Sequence, residues 1–488
     1  MPDTLPGLIP APTMIDSTDG AATALTARSR IIAFSAESRD SARSVIRAAT
    51  GLDLGAAEGG ARAGDVVIDI ADRPAAGGYT LTVDAGIVIT AGDAEGAHNG
   101  LQTLFQLLVH AGGGEIPALR VEDAPRYGYR GVMLDVSRHF FDADVVLRLI
   151  ERIAALKFNR LHLHLTDDQG WRIEIPELPE LTRSGAATQV GGGAGGAFTI
   201  EDYRRIVAHA QRHHVVIVPE IDLPGHTNAA LVAYPDLAPA GVVPEPYTGT
   251  EVGFSTLDLT AAETDRFVET VIARVAAETP GEYVHVGGDE AFATDAAQFV
   301  AFLARATRAV AAQGKTPIAW HEAGKGEDLE PGTVGQYWGR SVEPESQRNA
   351  RTFGALGGVI LSPSDLVYLD MKPTAEHPVG LTWSAPAISL EQAYSWDPAD
   401  VLDGVPAEAI LGVEAPLWTE TVITEQDIEG MLFPRLLAVA EKAWSVSSSS
   451  WPEFEARAAA AAAVLERLGI RQGPAGAGIQ QHPVEPAA

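Results

Sequence analysis

From Gly131 onward the sequence repeats one unit: a short apolar run ending in polar residues, then a longer amphipathic stretch. GVMLDVS (131–137) precedes DADVVLRLIERIAALKF, and NRLHLHLTD (159–167) precedes EDYRRIVAHAQRHH. VVIVPEID (215–222) is followed, after an insertion, by ETDRFVETVIARVAAET, and YVHVGGDE (283–290) leads into DAAQFVAFLARATRAVAAQG. TPIAWHEA, GTVGQYW and GGVILSPSD are three further strand candidates, and AILGVEAPLWTE (409–420), with the helix QDIEGMLFPRLLAVAEKAW behind it, is the eighth. Strands joined by crossover helices run parallel, because each helix carries the chain back to the starting edge. Eight such units close into a (β/α)8 barrel. A doubly wound sheet, the competing solution, wants a phosphate-binding glycine turn after its first strand, and VMLDVSRHFF has none.

The residues before this repeat follow a different rhythm. IIAFSAE, VVIDIA, YTLTVDA and GIVITAG read as short strands with turn signals between them, and SARSVIRAATGL and GAHNGLQTLFQLLVHAG read as helices. The expected fold is therefore α/β: a barrel over 123–470, ending in an alanine-rich helix at 450–470, behind a smaller α+β domain over 1–122 with an open, mostly antiparallel sheet. Gly, Pro and Gln in the tail, 471–488, predict disorder. GGGAGG (191–196) follows no strand and lacks the Lys and Ser/Thr of a phosphate loop, so it reads as a flexible connection.

Composition excludes several classes of function. The chain of 488 residues carries a net charge of −30, which repels nucleic acid. It has no cysteine, and so no disulfide, thiolate nucleophile or Cys-ligated metal. No apolar run reaches the ~18 residues of a membrane span, and MPDTLPGLIPAPTMIDS has neither the basic nor the apolar region of a secretory signal. A cytoplasmic protein, monomeric or homodimeric and without membrane or nucleic-acid partners, is expected.

In a barrel of this kind, polar residues at the C-terminal ends of strands are candidates for catalysis, and here they recur around the ring. Asp135, Arg138 and His139 follow the first strand, Asp167 and Asp168 the second, and Glu220, Asp222 and His226 the third. Asp289 and Glu290 end the fourth. Trp320, His321, Glu322, Trp338, Asp365, Tyr368 and Asp370 follow the next three, and Trp418 and Glu420 the last. Any one of these would more often be structural, but their coincidence over seven or eight strand ends favours a site.

Asp289 and Glu290 would face apart on a regular strand. Gly287 and Gly288 allow the backbone to leave β geometry before them, so both acids can reach one pocket. Adjacent carboxylates repel, which favours keeping one protonated as a proton donor to a leaving group. Trp320, Trp338, Trp383 and Trp418, four of the eight tryptophans, with Tyr368, lie near strand ends or in the loops after them. Indole faces among carboxylates suit a sugar ring, whose C–H faces stack while its hydroxyls are gripped at the edge. A metal-dependent barrel hydrolase is the alternative, since His162 and His164 share a strand face. That scheme wants the pair on the first strand and further His on strands five and six, and the sixth has none. The two histidines therefore read as structural hydrogen-bonders, and no metal or cofactor is expected.

YRGVMLDVSRHFF (129–141), HLHLTDDQGWR (162–172), PEIDLPGHT (219–227), HVGGDE (285–290), AWHE (319–322), YLDMKP (368–373) and APLWTE (415–420) together resemble glycoside hydrolase family 20, the β-N-acetylhexosaminidases. GLIPAP and GLQTLFQLL extend the likeness into the first domain. The resemblance implies retaining hydrolysis in which the substrate's own 2-acetamido oxygen attacks the anomeric carbon, giving an oxazolinium ion that water opens. It implies Glu290 as acid and then base, Asp289 as the group that holds the acetamido N–H, and Asp167 and His226 as a hydrogen-bonded chain tuning Glu290. It further implies Arg130 and Glu420 on the ring hydroxyls, Trp320, Trp338 and Trp418 around the sugar, Tyr368 on the acetamido oxygen, Asp370 nearby and Trp383 on the leaving-group side. Leu163 stands where the family usually has Trp, at a position expected to pack in the barrel wall. The substrate implied is an oligosaccharide or glycoconjugate with a terminal N-acetylhexosamine. A lacto-N-biosidase, another specialised member, or a binding protein that has lost catalysis are the alternatives, and loss should show first in the acid pair or the Asp167–His226 chain, all present.

Overall fold

The computed structural model describes residues 7–72, 75–447 and 449–474. Most of the disorder expected for the tail, 475–488, lies outside the described residues, while Gly473 donates its N–H to Phe433 O (2.9 Å).

The first domain is a seven-stranded sheet, ordered β1 (Met14–Ser17), β7 (Leu119–Asp123), β5 (Tyr79–Val83), β6 (Ile87–Ala91), β4 (Val66–Ile70), β2 (Arg30–Ala33) and β3 (Gly55–Ala56). The sheet is mixed rather than mostly antiparallel: β1, β7, β5 and β6 pair antiparallel, whereas β6–β4, β4–β2 and β2–β3 pair in parallel. The parallel half follows from helix α1 (Ala36–Thr50), which crosses over from β2 and returns the chain in the same direction. The strand candidate IIAFSAE stops at Ala33, because the Ser35 side chain accepts from Ser38 N and caps α1. Helix α2 (Ala94–His110) begins at Asp93, whose side chain accepts from Gly96 N. Ile46, Leu101 and Leu104 of the helices pack on Ile68, Leu81, Ile89 and Val121 of the sheet.

The second domain is a closed parallel barrel of β8 (Tyr129–Asp135), β9 (Arg160–His164), β10 (Val216–Glu220), β11 (Tyr283–His285), β12 (Thr316–Trp320), β13 (Val334–Tyr337), β14 (Val359–Leu361) and β15 (Ile410–Leu417), with β15 closing on β8. All eight strand candidates are present, in order. Tyr129, Val218, Ile318, Val334 and Ile360 form an inner cluster toward the N-terminal end. Leu163, fully buried, packs in the main apolar core. The alanine-rich terminal segment forms two helices, Trp451–Ala460 and Ala462–Arg467.

Register does the positioning. Asp135 pairs with His164, His164 with Glu220, and Glu220 with His285, so neighbouring strands bring four polar residues into one layer below the C-terminal rim. The seam with the first domain closes on Asp123: its carboxylate accepts from Tyr79 OH (2.7 Å), Lys157 Nζ (2.9 Å) and Trp444 Nε1 (2.9 Å), all buried. No helix among the described residues is long and apolar enough to cross a membrane.

Candidate active site

Strand β11 ends at His285, and the chain then turns sharply. Gly287 (φ 67°) and Gly288 (φ 98°) are left-handed, and a Cβ on Gly287 would lie 1.8 Å from Asp222 Oδ1. Gly288 N donates to that same oxygen (3.0 Å). Glu290 is itself left-handed at φ 43°, a conformation that costs a residue with a Cβ about 1–2 kcal/mol. The turn lets consecutive acids enter one pocket, as the glycine pair suggested.

Glu290 is 27 % exposed, and its Oε2 lies 3.7 Å from His226 Nε2. His226 Nδ1 meets Asp167 Oδ1 at 3.1 Å, and Asp167 Oδ2 meets Arg138 Nη1 at 2.6 Å and His164 Nε2 at 2.7 Å. The chain continues inward: His164 Nδ1 to Glu220 Oε2 (2.6 Å), Glu220 to His162 Nε2 (3.1 Å), and His162 Nδ1 to Glu414 Oε1 (2.9 Å). Burial opposes charge throughout, yet Arg138, His226 and His164 hold the Asp167 carboxyl well below the usual range. Against the same burial, Asp167 and Asp222 hold His226 well above the usual imidazole value. Glu290 goes the other way: burial, then repulsion from Asp289, pushes its carboxyl up to about 7. It is therefore largely able to keep its proton near neutrality.

Asp289 is buried, and its Oδ1 has no hydrogen-bond partner. Asp370 Oδ1 and Oδ2, Glu420 Oε2 and Arg138 Nε are likewise unpartnered. Buried polar atoms without partners are rare, and a ligand rich in hydroxyl and amide groups would satisfy these. Burial, then Glu420, lifts the Asp370 carboxyl well above its usual range.

Aromatic rings line the same space. Trp320 is fully buried and donates its indole N–H to Glu220 Oε1 (2.7 Å). Trp418 stands 6.1 Å from it between ring centres, with the Arg138 guanidinium over its face at 4.7 Å. Trp338 and Tyr368 each meet Trp383 at 5.8 Å, edge to face, and Trp383 is 46 % exposed at the mouth. Burial keeps the Tyr368 hydroxyl protonated, so that its proton can serve a ligand.

The structure thus brings together Glu290, Asp289, Asp167, His226, Trp320, Trp338, Tyr368, Asp370, Trp383, Trp418 and Glu420. Arg130 is not among them. It lies at the N-terminal end of β8, about five residues or ~17 Å of strand below the rim. There it is buried, with its guanidinium on Lys157 O (2.8 Å), Tyr127 O (2.9 Å) and Glu95 Oε1 (2.7 Å). Parallel barrel strands offer a site only their C-terminal ends, so the arginine in the pocket is Arg138, three residues past Asp135. Its strand-end position was the signal that distinguished it. Two further strand-end residues hold the site in shape. Asp222 accepts from Gly288 N and so braces the acid turn. Glu322 accepts from Trp338 Nε1 (3.0 Å) and fixes that indole; burial, then Asp289, pushes its carboxyl up to about 8. Both ring nitrogens of His164 are engaged by carboxylates, in keeping with the structural role expected of it.

Residues 127–447 match the family model for the glycosyl hydrolase family 20 catalytic domain, and residues 5–124 match that family's domain 2. A β-N-acetylhexosaminidase of Cellulomonas fimi is 41 % identical over 482 residues, covering 96 % of each chain. The N-acetyl-β-hexosaminidase of Streptomyces plicatus, solved in complex with Thio-NAglucal, superposes with a TM-score of 0.91 at 43 % identity, covering 96 % of this chain and 97 % of that one. A mutant of the Streptomyces enzyme in complex with product GlcNAc superposes at 0.92 with 42 % identity, covering 99 % and 98 %. With the sequence motifs, the barrel and both family matches in agreement, the chain belongs to glycosyl hydrolase family 20 and is a glycoside hydrolase of the β-N-acetylhexosaminidase class.

Proposed function

We propose that the enzyme removes terminal, non-reducing N-acetylhexosamine residues from oligosaccharides or glycoconjugates, with the substrate's acetamido group as nucleophile. The observation that carries this reading is the acid pair: Glu290, with its carboxyl near 7, stands beside the buried, unpartnered Asp289 Oδ1. A conventional retaining enzyme sets its nucleophile across the sugar, about 5–5.5 Å from the acid. Asp289 is instead the adjacent residue on the same turn, suited to accept the acetamido N–H.

In this mechanism Glu290 protonates the glycosidic oxygen as the acetamido oxygen closes on the anomeric carbon. Asp289 holds the N–H, aligns the carbonyl oxygen, and balances the positive charge that grows on the ring it forms. Tyr368 donates to the same acetamido oxygen. Glu290, now ionised, takes a proton from the water that opens the oxazolinium ion, restoring the acid. The imidazolium of His226, anchored by Asp167, stabilises the ionised Glu290 between the two steps. Arg138, Asp370 and Glu420 grip the ring hydroxyls, Trp320 floors the pocket, Trp338 and Trp418 wall it, and Trp383 lies toward the leaving group. The fit of the unpartnered polar atoms to hydroxyl and amide groups supports these assignments.

The test is to compare an aryl 2-acetamido-2-deoxy-β-glucoside with the plain β-glucoside, and to measure inhibition by a thiazoline mimic of the cyclised intermediate. Hydrolysis of the first only, with the thiazoline binding more tightly than the product sugar, is expected. A covalent glycosyl ester trapped on any Asp or Glu by a 2-fluoro sugar would sink the mechanism.

A further inference from the structure

A group of histidines lies far from the acid pair. His213 and His214 directly precede β10, so they sit at the N-terminal end of the barrel, whereas the site is at the C-terminal end. They border a cleft of about 800 Å³ between α1 and α2 of the first domain and two barrel helices, Ala143–Ala154 and Ile200–Arg212. His209 and His213 are four residues apart, which places them on one helix face, and their ring centres are 4.6 Å apart. From the neighbouring helix, Glu151 brings Oε1 to 3.1 Å from His209 Nε2. One ligand atom from each of the three residues lies within 4.8 Å of the others.

We propose that Glu151, His209 and His213 form a binding site for a divalent transition-metal ion of the zinc class, independent of the catalytic site. Two ligands ~2.0–2.1 Å from a tetrahedral ion stand roughly 3.3 Å from each other, close to the Glu151–His209 separation. His209 Nε2 is buried and, despite that short distance, has no aligned hydrogen-bond partner. Two imidazoles and a carboxylate are the donor set that zinc, nickel and copper accept and that magnesium does not favour. The remaining coordination positions would be filled by water.

One neighbour opposes the ion. Arg212 Nη2 lies 2.9 Å from His209 Nδ1. A guanidinium only donates, so Nδ1 accepts, and the neutral ring carries its proton on Nε2. Metal ligation at Nε2 moves that proton to Nδ1 and displaces Arg212, which is exposed and free to swing into solvent. Arg212 is thus a competitor for the site.

The ion would link two helices and raise stability without touching catalysis. The test uses the full chain, stripped with chelator, titrated calorimetrically with zinc and separately with magnesium, and melted in the presence and absence of zinc. One zinc per chain with micromolar affinity, a raised Tm, no effect of magnesium, and unchanged hydrolysis of an aryl substrate are expected. Losing even an outer partner of a metal ligand weakens binding ~10–100-fold, so His213→Ala and His209→Asn should each weaken it at least ~10-fold. Arg212→Ala should tighten it, by about 2–5-fold for removal of an exposed charge. Aryl-substrate activity checks that each variant is folded, and Glu151→Gln stands in for any that is not. Absence of saturable zinc binding overturns the proposal. So does binding that survives both histidine substitutions, inhibits hydrolysis, or is abolished by Arg212→Ala.

Discussion

Glu290 combines a left-handed backbone with a carboxyl lifted to about 7, two features that cost stability and that the proposed mechanism uses for proton transfer. The sign follows from linkage. The folded carboxyl holds its proton between about 4.5 and 7, where the unfolded one has lost it, so the ionised form burdens the fold increasingly as pH rises through that window. Glu290→Gln should therefore be more stable than the parent by up to ~3 kcal/mol at pH 8, with the difference gone below about pH 4.5, as read from denaturant melts at both pH values. The same variant should lose ~10²–10⁴ in turnover on substrates with poor leaving groups. It should lose less on aryl glycosides, which need little protonation; equal losses across leaving groups would exclude Glu290 as the acid. In the parent, the alkaline limb of kcat/KM should fall near pH 7. Asp289→Asn should lower kcat more than it raises KM, because its charge matters most as positive charge builds on the acetamido group. A change confined to KM would reduce Asp289 to a ground-state contact.

At the scale of elements, the site depends on how strands end rather than on the strands themselves. Gly287 has no room for a methyl group and a φ that L residues avoid. Gly287→Ala should reduce kcat/KM by at least ~10²-fold, since misplacing catalytic groups by about 1 Å costs that much, while far-UV circular dichroism stays that of the parent. Retention of full activity would mean that the turn does not set the acid geometry. The in-register layer of Asp135, His164, Glu220 and His285 shows why HLHL reads ambiguously. Alternation reveals that His162 and His164 share a face, but only the closed barrel brings up the carboxylates that hold them: Glu220 of β10 for both, Glu414 of β15 for His162, and Asp167 from the turn after β9 for His164. The glycine pair, by contrast, was legible, because its effect on the chain is local.

For the whole molecule, the two domains share a polar seam remote from the strand ends. Glu95 of α2 pairs with Arg130, and Asp123 of β7 gathers Tyr79, Lys157 and Trp444. Arg130→Ala removes one partner of a partly buried ion pair and should cost ~3–5 kcal/mol of stability, seen as a lower Tm, while KM for an aryl substrate remains that of the parent. Arg138→Ala should do the reverse in kinetics, raising KM, because its guanidinium lies in the pocket. A raised KM in Arg130→Ala alone would restore that arginine to the sugar.

The sequence by itself determined the barrel, its eight strands, the rim where chemistry collects, and the adjacent acids behind two glycines. These follow from periodicity and backbone freedom, which act over a few residues. Only the tertiary structure decided which arginine lies in the pocket, which carboxylates clasp His162 and His164, where the first sheet turns from antiparallel to parallel, and that His209 and His213 meet Glu151 beside a cleft. Each of those depends on contacts between segments distant along the chain, set by register and by the end of the barrel at which a side chain emerges. A pattern of apolar and polar residues specifies which face a side chain occupies, but not its partner across the fold.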